Sequence, residues 1–301
     1  MHERRLQPRV PVDLAATLAP LQRGRHDPCT RVRPDDVWRA TRTPCGPVTT
    51  RIMRDRDDVV VRAWGPGGAW ALERVEALLG LDDDATDFVP RDGLVAELHR
   101  RNPGLRLGAS GAVVEAAVAS VVEQRVTSIE AHRSYARLVR RYGERAPGPA
   151  GAAGLMVPPV PERLRSLPYW AFHPLGIERR RADTIRRLCA RATSLERIAT
   201  LDAHDAQRAL RCVDGVGPWT AAEVASVALG DRDAVSVGDY HLPGIVSWSL
   251  AGERDGDDAR MLELLEPYRP QRARVIRLLM RGGSGPPRRA PRARLRAIER
   301  I

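Results

Sequence analysis

The chain has 301 residues, 43% of them hydrophobic, enough to fill one large core or two ordinary ones. Its formal net charge is +11 and its pI about 10.6, a balance that favours a polyanionic partner. No apolar run approaches the roughly 18 residues of a spanning helix, and the Arg- and Pro-rich start lacks the apolar core of a secretory signal, so cytoplasmic residence without a membrane partner is expected.

In chain order, residues 1 to about 30 read as an irregular lead or a single strand. Val37 to Thr43, Pro47 to Met53 and Val59 to Trp64 are strand candidates, with Arg56-Asp57-Asp58 at a hairpin tip. Trp70 to Leu79 follows as a helix with Leu72, Val75, Leu78 and Leu79 on one face. Strands followed by a helix make an α+β module, placed at residues 1–100. Asp82-Asp83-Asp84 reads as a solvated loop.

From Gly93 the pattern turns helical, giving a mainly α domain at 101–282. Gly111 to Val122 is an apolar helix that must be buried. Thr127-x-x-Glu130 fits a capping box and opens a helix with Ala131, Tyr135, Leu138, Val139 and Tyr142 in step, closed by Gly143. Pro147 to Pro161 reads as a loop with no core of its own. Arg179 to Ala192 is an arginine-rich helix. Its Arg179, Arg180 and Arg181 fit a solvated face first and phosphate contacts second. Met261 to Met280 supplies the last helices, interrupted near Pro267 and Pro270. A basic tail, with Arg288, Arg289, Arg292, Arg294 and Arg296, fills 283–301.

Leu210 to Tyr240, LRCVDGVGPWTAAEVASVALGDRDAVSVGDY, carries most of the functional signal. Asp205 to Val213 is a short helical run that Asp214-Gly215-Val216-Gly217 cannot continue. Pro218 suits the first position of a second helix, where a missing N–H costs nothing. Trp219 to Leu229 extends that helix and Gly230 ends it. Free N–H groups at the hairpin and at the second helix's start make an anion site, and glycine lets a phosphate come close. Beyond Gly230, Asp239 sits in a Val-Gly-Asp-Tyr turn. Position alone divides Asp239 evenly between a helix cap and a catalytic carboxylate.

Four segments in this order resemble the helix-hairpin-helix DNA glycosylase superfamily, most closely its 3-methyladenine DNA glycosylase II branch. They are Val121-Val122-Glu123-Gln124-Arg125-Val126-Thr127, the hairpin from Val213 to Ala221, Gly238-Asp239-Tyr240, and Leu265-Glu266-Pro267-Tyr268-Arg269-Pro270. The likeness runs from Leu105 to Met280, and more weakly over the N-terminal hundred residues. It implies a helix-hairpin-helix DNA glycosylase fold, double-stranded DNA as partner, a monomer, and flipping of the target base into a pocket.

By the same resemblance Asp239 is the catalytic carboxylate, and Trp219, Tyr240 and Tyr268 line the base pocket. Ordinary core packing is the rival reading for the three aromatics. Glu223 departs from the branch, standing where an aromatic is often found, and this leaves the lesion open. Gln124 and Arg125 fall where the family inserts a wedge into the DNA stack, or else form a polar corner. Gly215, Val216, Gly217 and Thr220 fall at the DNA-binding hairpin, with a monovalent cation implied at the carbonyls of Arg211, Val213 and Val216.

The sequence holds no lysine, so all 49 basic side chains are arginine. Glycosylases that also cut the strand do so through an amine, usually lysine. Trp219 stands where the bifunctional relatives carry that lysine, so base release without lyase activity is expected. Cys29, Cys45, Cys189 and Cys212 are scattered, and none follows Asp239, where some branches hold an iron–sulfur cluster. Neither that cluster nor another cofactor is expected, and the seven histidines show no zinc spacing. The expected activity is hydrolysis of alkylated purines of the 3-methyladenine type in base excision repair. The alternatives are another damaged purine, bulky or deaminated, and a non-catalytic helix-hairpin-helix DNA-binding protein.

Overall fold

In the computed structural model, which describes residues 1–287 and Ile298, alternating apolar residues build the first layer. Strands β1 (His2–Leu6), β2 (Thr30–Arg33), β3 (Asp36–Thr43), β4 (Gly46–Asp55) and β5 (Asp58–Trp64) form an antiparallel sheet of order β1-β5-β4-β3-β2. Val37, Ile52 and Val61 stand side by side across three strands, and Leu6, Val48, Val59 and Ala63 complete their core. Arg56 turns the β4–β5 hairpin with φ of 57°. Helix α1 (Leu14–Leu18), capped by the Asp13 side chain, brings Leu14 and Leu18 into that core. Helices α2 (Gly68–Glu73) and α3 (Val75–Leu78) add Leu72 and Val75. The helix expected over 70–79 is thus broken at Arg74. The two outer strands, HERRL and TRVR, carry too little apolar alternation to be read from sequence.

A second core gathers around α5 (Val113–Glu123), whose Val113, Ala117, Val121 and Val122 are fully covered. Helix α6 (Ser128–Tyr142) opens on the expected Thr127–Glu130 capping box and closes at Gly143. The segment expected as a plain loop is more ordered than that. Helix α7 (Pro149–Ala152) lies between β6 (Glu144–Arg145) and β7 (Met156–Val157), and Ala146, Ala150, Leu155 and Val157 pack with Ala40. Helices α8 (Pro161–Ser166), α9 (Tyr169–Phe172), α10 (Arg179–Ala190), α11 (Ala192–Arg197), α12 (Ala203–Arg211) and α13 (Pro218–Val224) wrap around α5 through Leu164, Phe172, Ile185, Leu195, Leu210 and Val224. Full burial of each such side chain is worth about 1.5–3 kcal/mol.

The third core joins segments far apart in sequence. Helix α4 (Gly93–Arg101) packs its Val95 and Leu98 with α14 (Leu242–Ala251), α15 (Asp258–Leu265) and α16 (Arg272–Gly282), through Val246, Met261, Leu265, Val275 and Leu278. A division at residue 100 therefore cuts off a helix that packs with the C-terminal helices. Asp83 corrects the solvated-loop reading. It is buried, accepts from Leu107 N at 3.0 Å and pairs with buried Arg274 at 2.5 Å. The arginines of the basic tail lie outside the described residues. No helix among those described is long and apolar enough to cross a membrane.

Candidate active site

The hairpin forms where the glycines fall. Arg211 ends α12, and Gly215 takes φ of 93° with Thr184 packed where a Cβ would stand. The chain re-enters helix at Gly217 with Pro218 in the first turn. Nothing lies within 4 Å of a Cβ built at Gly217, so that face of the backbone is open. Val216 N donates to Val213 O at 2.9 Å, closing the turn. Helix α13 widens into one π turn at Ala225–Leu229 before Gly230, in the left-handed conformation, stops it.

The Gln124-Arg125 corner meets this hairpin, with the two residues in different roles. Gln124 Nε2 donates to Gly215 O at 2.9 Å and to Thr220 Oγ1 at 2.8 Å, so this side chain braces the hairpin from the end of α5. Thr220 is itself buried. Arg125 is exposed and holds φ of 55°, a conformation that costs a non-glycine residue about 1 kcal/mol or more. Of the two, only Arg125 is exposed, while Gln124 is committed to the hairpin. Arg179 and Arg180 are exposed, but Arg181 is buried and donates to Val122 O at 2.7 Å and Gly176 O at 3.1 Å. Arg181 is thus removed from the phosphate-contact candidates.

Asp239 sits in a turn fixed from both sides. Gly238, at φ of 91°, donates its N–H to the Asp258 carboxylate at 3.0 Å, and Asp239 N donates to Ser236 O at 3.2 Å. One carboxylate oxygen of Asp239 accepts from His241 N at 2.8 Å and Leu242 N at 2.9 Å, capping α14. The other accepts from Trp219 Nε1 at 3.0 Å. The cap geometry and the approach to the hairpin helix therefore coexist in one half-buried side chain.

Glu223 lies one turn after Trp219 on α13, on the same face. Ser236 Oγ donates to its Oε1 at 2.5 Å. Burial raises the Glu223 carboxyl above its ordinary range; the Ser236 bond and Arg23 oppose the rise, while Glu123 and Asp239 add to it. Glu223, which the sequence placed among the pocket positions, lies within electrostatic reach of Asp239. Arg277 of α16 and Arg23 both lie within electrostatic reach of Glu223. Arg23 pairs with Glu123 at 3.0 Å, whereas burial pulls the Arg277 guanidinium down to about 10. Arg23, Ser236 and Arg277 were not legible as site residues. The one hint was an arginine inside the apolar run Val275-Ile276-Arg277-Leu278-Leu279.

The expected pocket aromatics Tyr240 and Tyr268 fall in different surroundings. Tyr240 is 91% exposed, its ring edge-on to His241 at 4.8 Å. Tyr268 is a buried member of the third core, 6.4 Å from the Phe88 ring and bonded to the backbone at Arg91 and Asp92. Packing claims its faces. Asp202, His204 and Asp205 come together on the surface, but an Asp202 oxygen already caps α12 by accepting from Asp205 N at 3.0 Å.

No family model matches the chain. It is 32% identical over 179 residues to a protein of Mycobacterium tuberculosis named "Probable bifunctional transcriptional activator/DNA repair enzyme AlkA", covering 57% of this chain and 35% of that protein. It is 26% identical over 180 residues to the "DNA-3-methyladenine glycosylase 2" of Escherichia coli, covering 59% of this chain and 61% of that one. The chain thus spans about a third of the first relative and less than two thirds of the second. Among solved structures, the 3-methyladenine DNA glycosylase of Archaeoglobus fulgidus superposes with a TM-score of 0.76 at 20% identity, over 92% of this chain and 97% of that one. This likeness shows a shared fold.

Proposed function

We propose that this chain, a member of the helix-hairpin-helix DNA glycosylase superfamily related to its 3-methyladenine branch, hydrolyses the N-glycosidic bond of a damaged purine in duplex DNA. The observation that carries the reading is Asp239, whose carboxylate is held by three donors against the Trp219 indole at the end of a glycine hairpin. The hairpin N–H groups receive a phosphate, and the carbonyls of Arg211, Val213 and Val216 would hold a monovalent cation to help neutralise it, while Arg125 fills the gap left by the flipped nucleotide. Trp219 offers the base an aromatic face. As the C1′–N9 bond breaks, its electron pair leaves on the purine and positive charge builds on the sugar. Asp239 stabilises that charge from close range. Water then adds its oxygen to C1′ and gives up a proton; a purine that was neutral in DNA leaves as an anion and takes up one proton, whereas a cationic alkylated purine leaves neutral and the proton passes to solvent.

The chain lacks lysine, which supports release without strand cleavage. The relatives' names make alkylated purines of the 3-methyladenine type the first substrate to assay, in a base-excision repair role. The test is to incubate purified protein with methylated and with deaminated duplex DNA and to identify freed bases by mass spectrometry. Release of a modified purine, leaving intact abasic sites, is the expected result. Tight duplex binding without release of any base overturns the catalytic reading and leaves a hairpin-type DNA-binding protein.

A further inference from the structure

The loop leading into Asp239 is held to other elements by side chains distant in sequence. Ser236 Oγ donates to Glu223 of α13 at 2.5 Å. Gly238 N lies 3.0 Å from each oxygen of the Asp258 carboxylate, at the start of α15. The backbone bonds of Val237 N to Val235 O at 2.9 Å and of Asp239 N to Ser236 O at 3.2 Å are local and tie the loop only to itself. Gly238 holds φ of 91°, and nothing lies within 4 Å of a Cβ built there, so the conformation and not the space asks for glycine. A glycine leaves the backbone free to swing, and Asp258 stops that swing one residue before Asp239. Its own helix does not need this carboxylate as a cap. Asp257 caps α15 by accepting from Arg260 N at 2.9 Å, and the Arg260 guanidinium is engaged by Glu253 at 2.7 Å and Glu263 at 2.8 Å.

We propose that Asp258 is a positioning residue for base release, fixing the backbone at Gly238 so that the Asp239 carboxylate stands where it meets the sugar cation. The inference rests on the glycosylase reading above and gives Asp258 no contact with the DNA. The bonds from Trp219, His241 N and Leu242 N orient the Asp239 carboxylate from its own side chain outward. The Asp258 bond acts on the backbone before it and sets where that side chain starts. Charge stabilisation falls with distance, and a displacement of about 1 Å in a reacting group can cost roughly a hundredfold in rate. Asp258 is also a second negative charge beside the loop that faces the phosphates, so it opposes duplex binding while its bond supports the chemistry. Those two effects have opposite signs. A side chain that only stabilised the fold would move binding and chemistry in the same direction.

The probes are a methylated duplex and a duplex carrying hypoxanthine, with rates compared on whichever the parent chain cleaves, and a duplex with an uncleavable tetrahydrofuran abasic site for affinity. Asp258→Ala removes both the acceptor and the charge, whereas Asp258→Asn removes the charge and keeps one oxygen acceptor. Single-turnover release at saturating enzyme should fall at least about tenfold in the Ala variant and by less in the Asn variant. Both should bind the tetrahydrofuran duplex as tightly as the parent or more tightly. Circular dichroism checks the fold, and hydrogen exchange at Gly238 N–H should be protected in the parent and faster in the Ala variant. A folded Ala variant with the parent's rate overturns the proposal, as does an Asn variant as slow as Ala, or affinity lost in step with rate. Should Ala not fold, Asp258→Ser, whose hydroxyl ends one bond short of the bonded oxygens, is held to the same criteria. An unprotected Gly238 amide in the parent overturns the proposal without any variant. A parent that releases neither modified base refutes the glycosylase reading instead.

Discussion

Replacing Asp239 by Asn separates its two duties. The amide oxygen of Asn keeps the bonds from His241 N and Leu242 N, so the cap of α14 survives. Its NH2 then faces Trp219 Nε1, donor against donor, and that one bond is lost. A bond of this kind at a half-buried site contributes about 1 kcal/mol, and a chain of this size loses about 2 °C in melting temperature for it. The catalytic loss is larger. Removing the carboxylate charge that faces the sugar cation forfeits at least about 2.7 kcal/mol of transition-state stabilisation, a factor of at least roughly one hundred. Single-turnover base release at saturating enzyme measures the second quantity and thermal unfolding the first, while duplex affinity should hold or tighten as a negative charge leaves the interface. Release at the parent rate refutes the catalytic assignment. A melting temperature more than about ten degrees lower, with release lost in proportion, makes Asp239 a structural cap.

Borohydride should trap no efficient covalent adduct with substrate DNA, and strand breaks should appear only after alkali, because no lysine is available; robust cleavage by the protein alone contradicts this. Arg125→Ala should lower single-turnover release about tenfold or more while moving the melting temperature by less than about 2 °C, since Arg125 is exposed at the corner and Gln124 still braces the hairpin; an unchanged rate removes the wedge. For Glu223 the sign follows from burial. Its carboxyl is raised when folded, so the native state binds that proton more tightly than the unfolded chain, and ionised Glu223 costs stability above the folded pKa. Glu223→Gln should therefore raise the melting temperature at neutral pH, with the gain vanishing as pH falls below the ordinary value of 4.5. A pH-independent difference refutes that account.

The local elements were legible because their causes are local. Thr127 and Glu130 cap a helix within one turn, Gly-Val-Gly-Pro can only end one helix and start another, and β-branched alternation marked the three inner strands. Position alone left Asp239 divided between a helix cap and a catalytic carboxylate, and the fold shows that its carboxylate does cap α14 while also meeting Trp219. What depended on distant neighbours was not legible. Tyr268 and Trp219 are both aromatics in matching segments, yet one is enclosed by α4 and α16 while the other faces Asp239. Asp83 resembled any acidic turn until Arg274, far along the chain, reached it in the interior. Arg23, Glu223, Ser236 and Arg277 come from an N-terminal turn, the hairpin helix, the Asp239 loop and the last long helix. No periodicity links such positions. Sequence decides which backbone groups each segment satisfies by itself; only the packing of the layers decides which charges are stripped of water together.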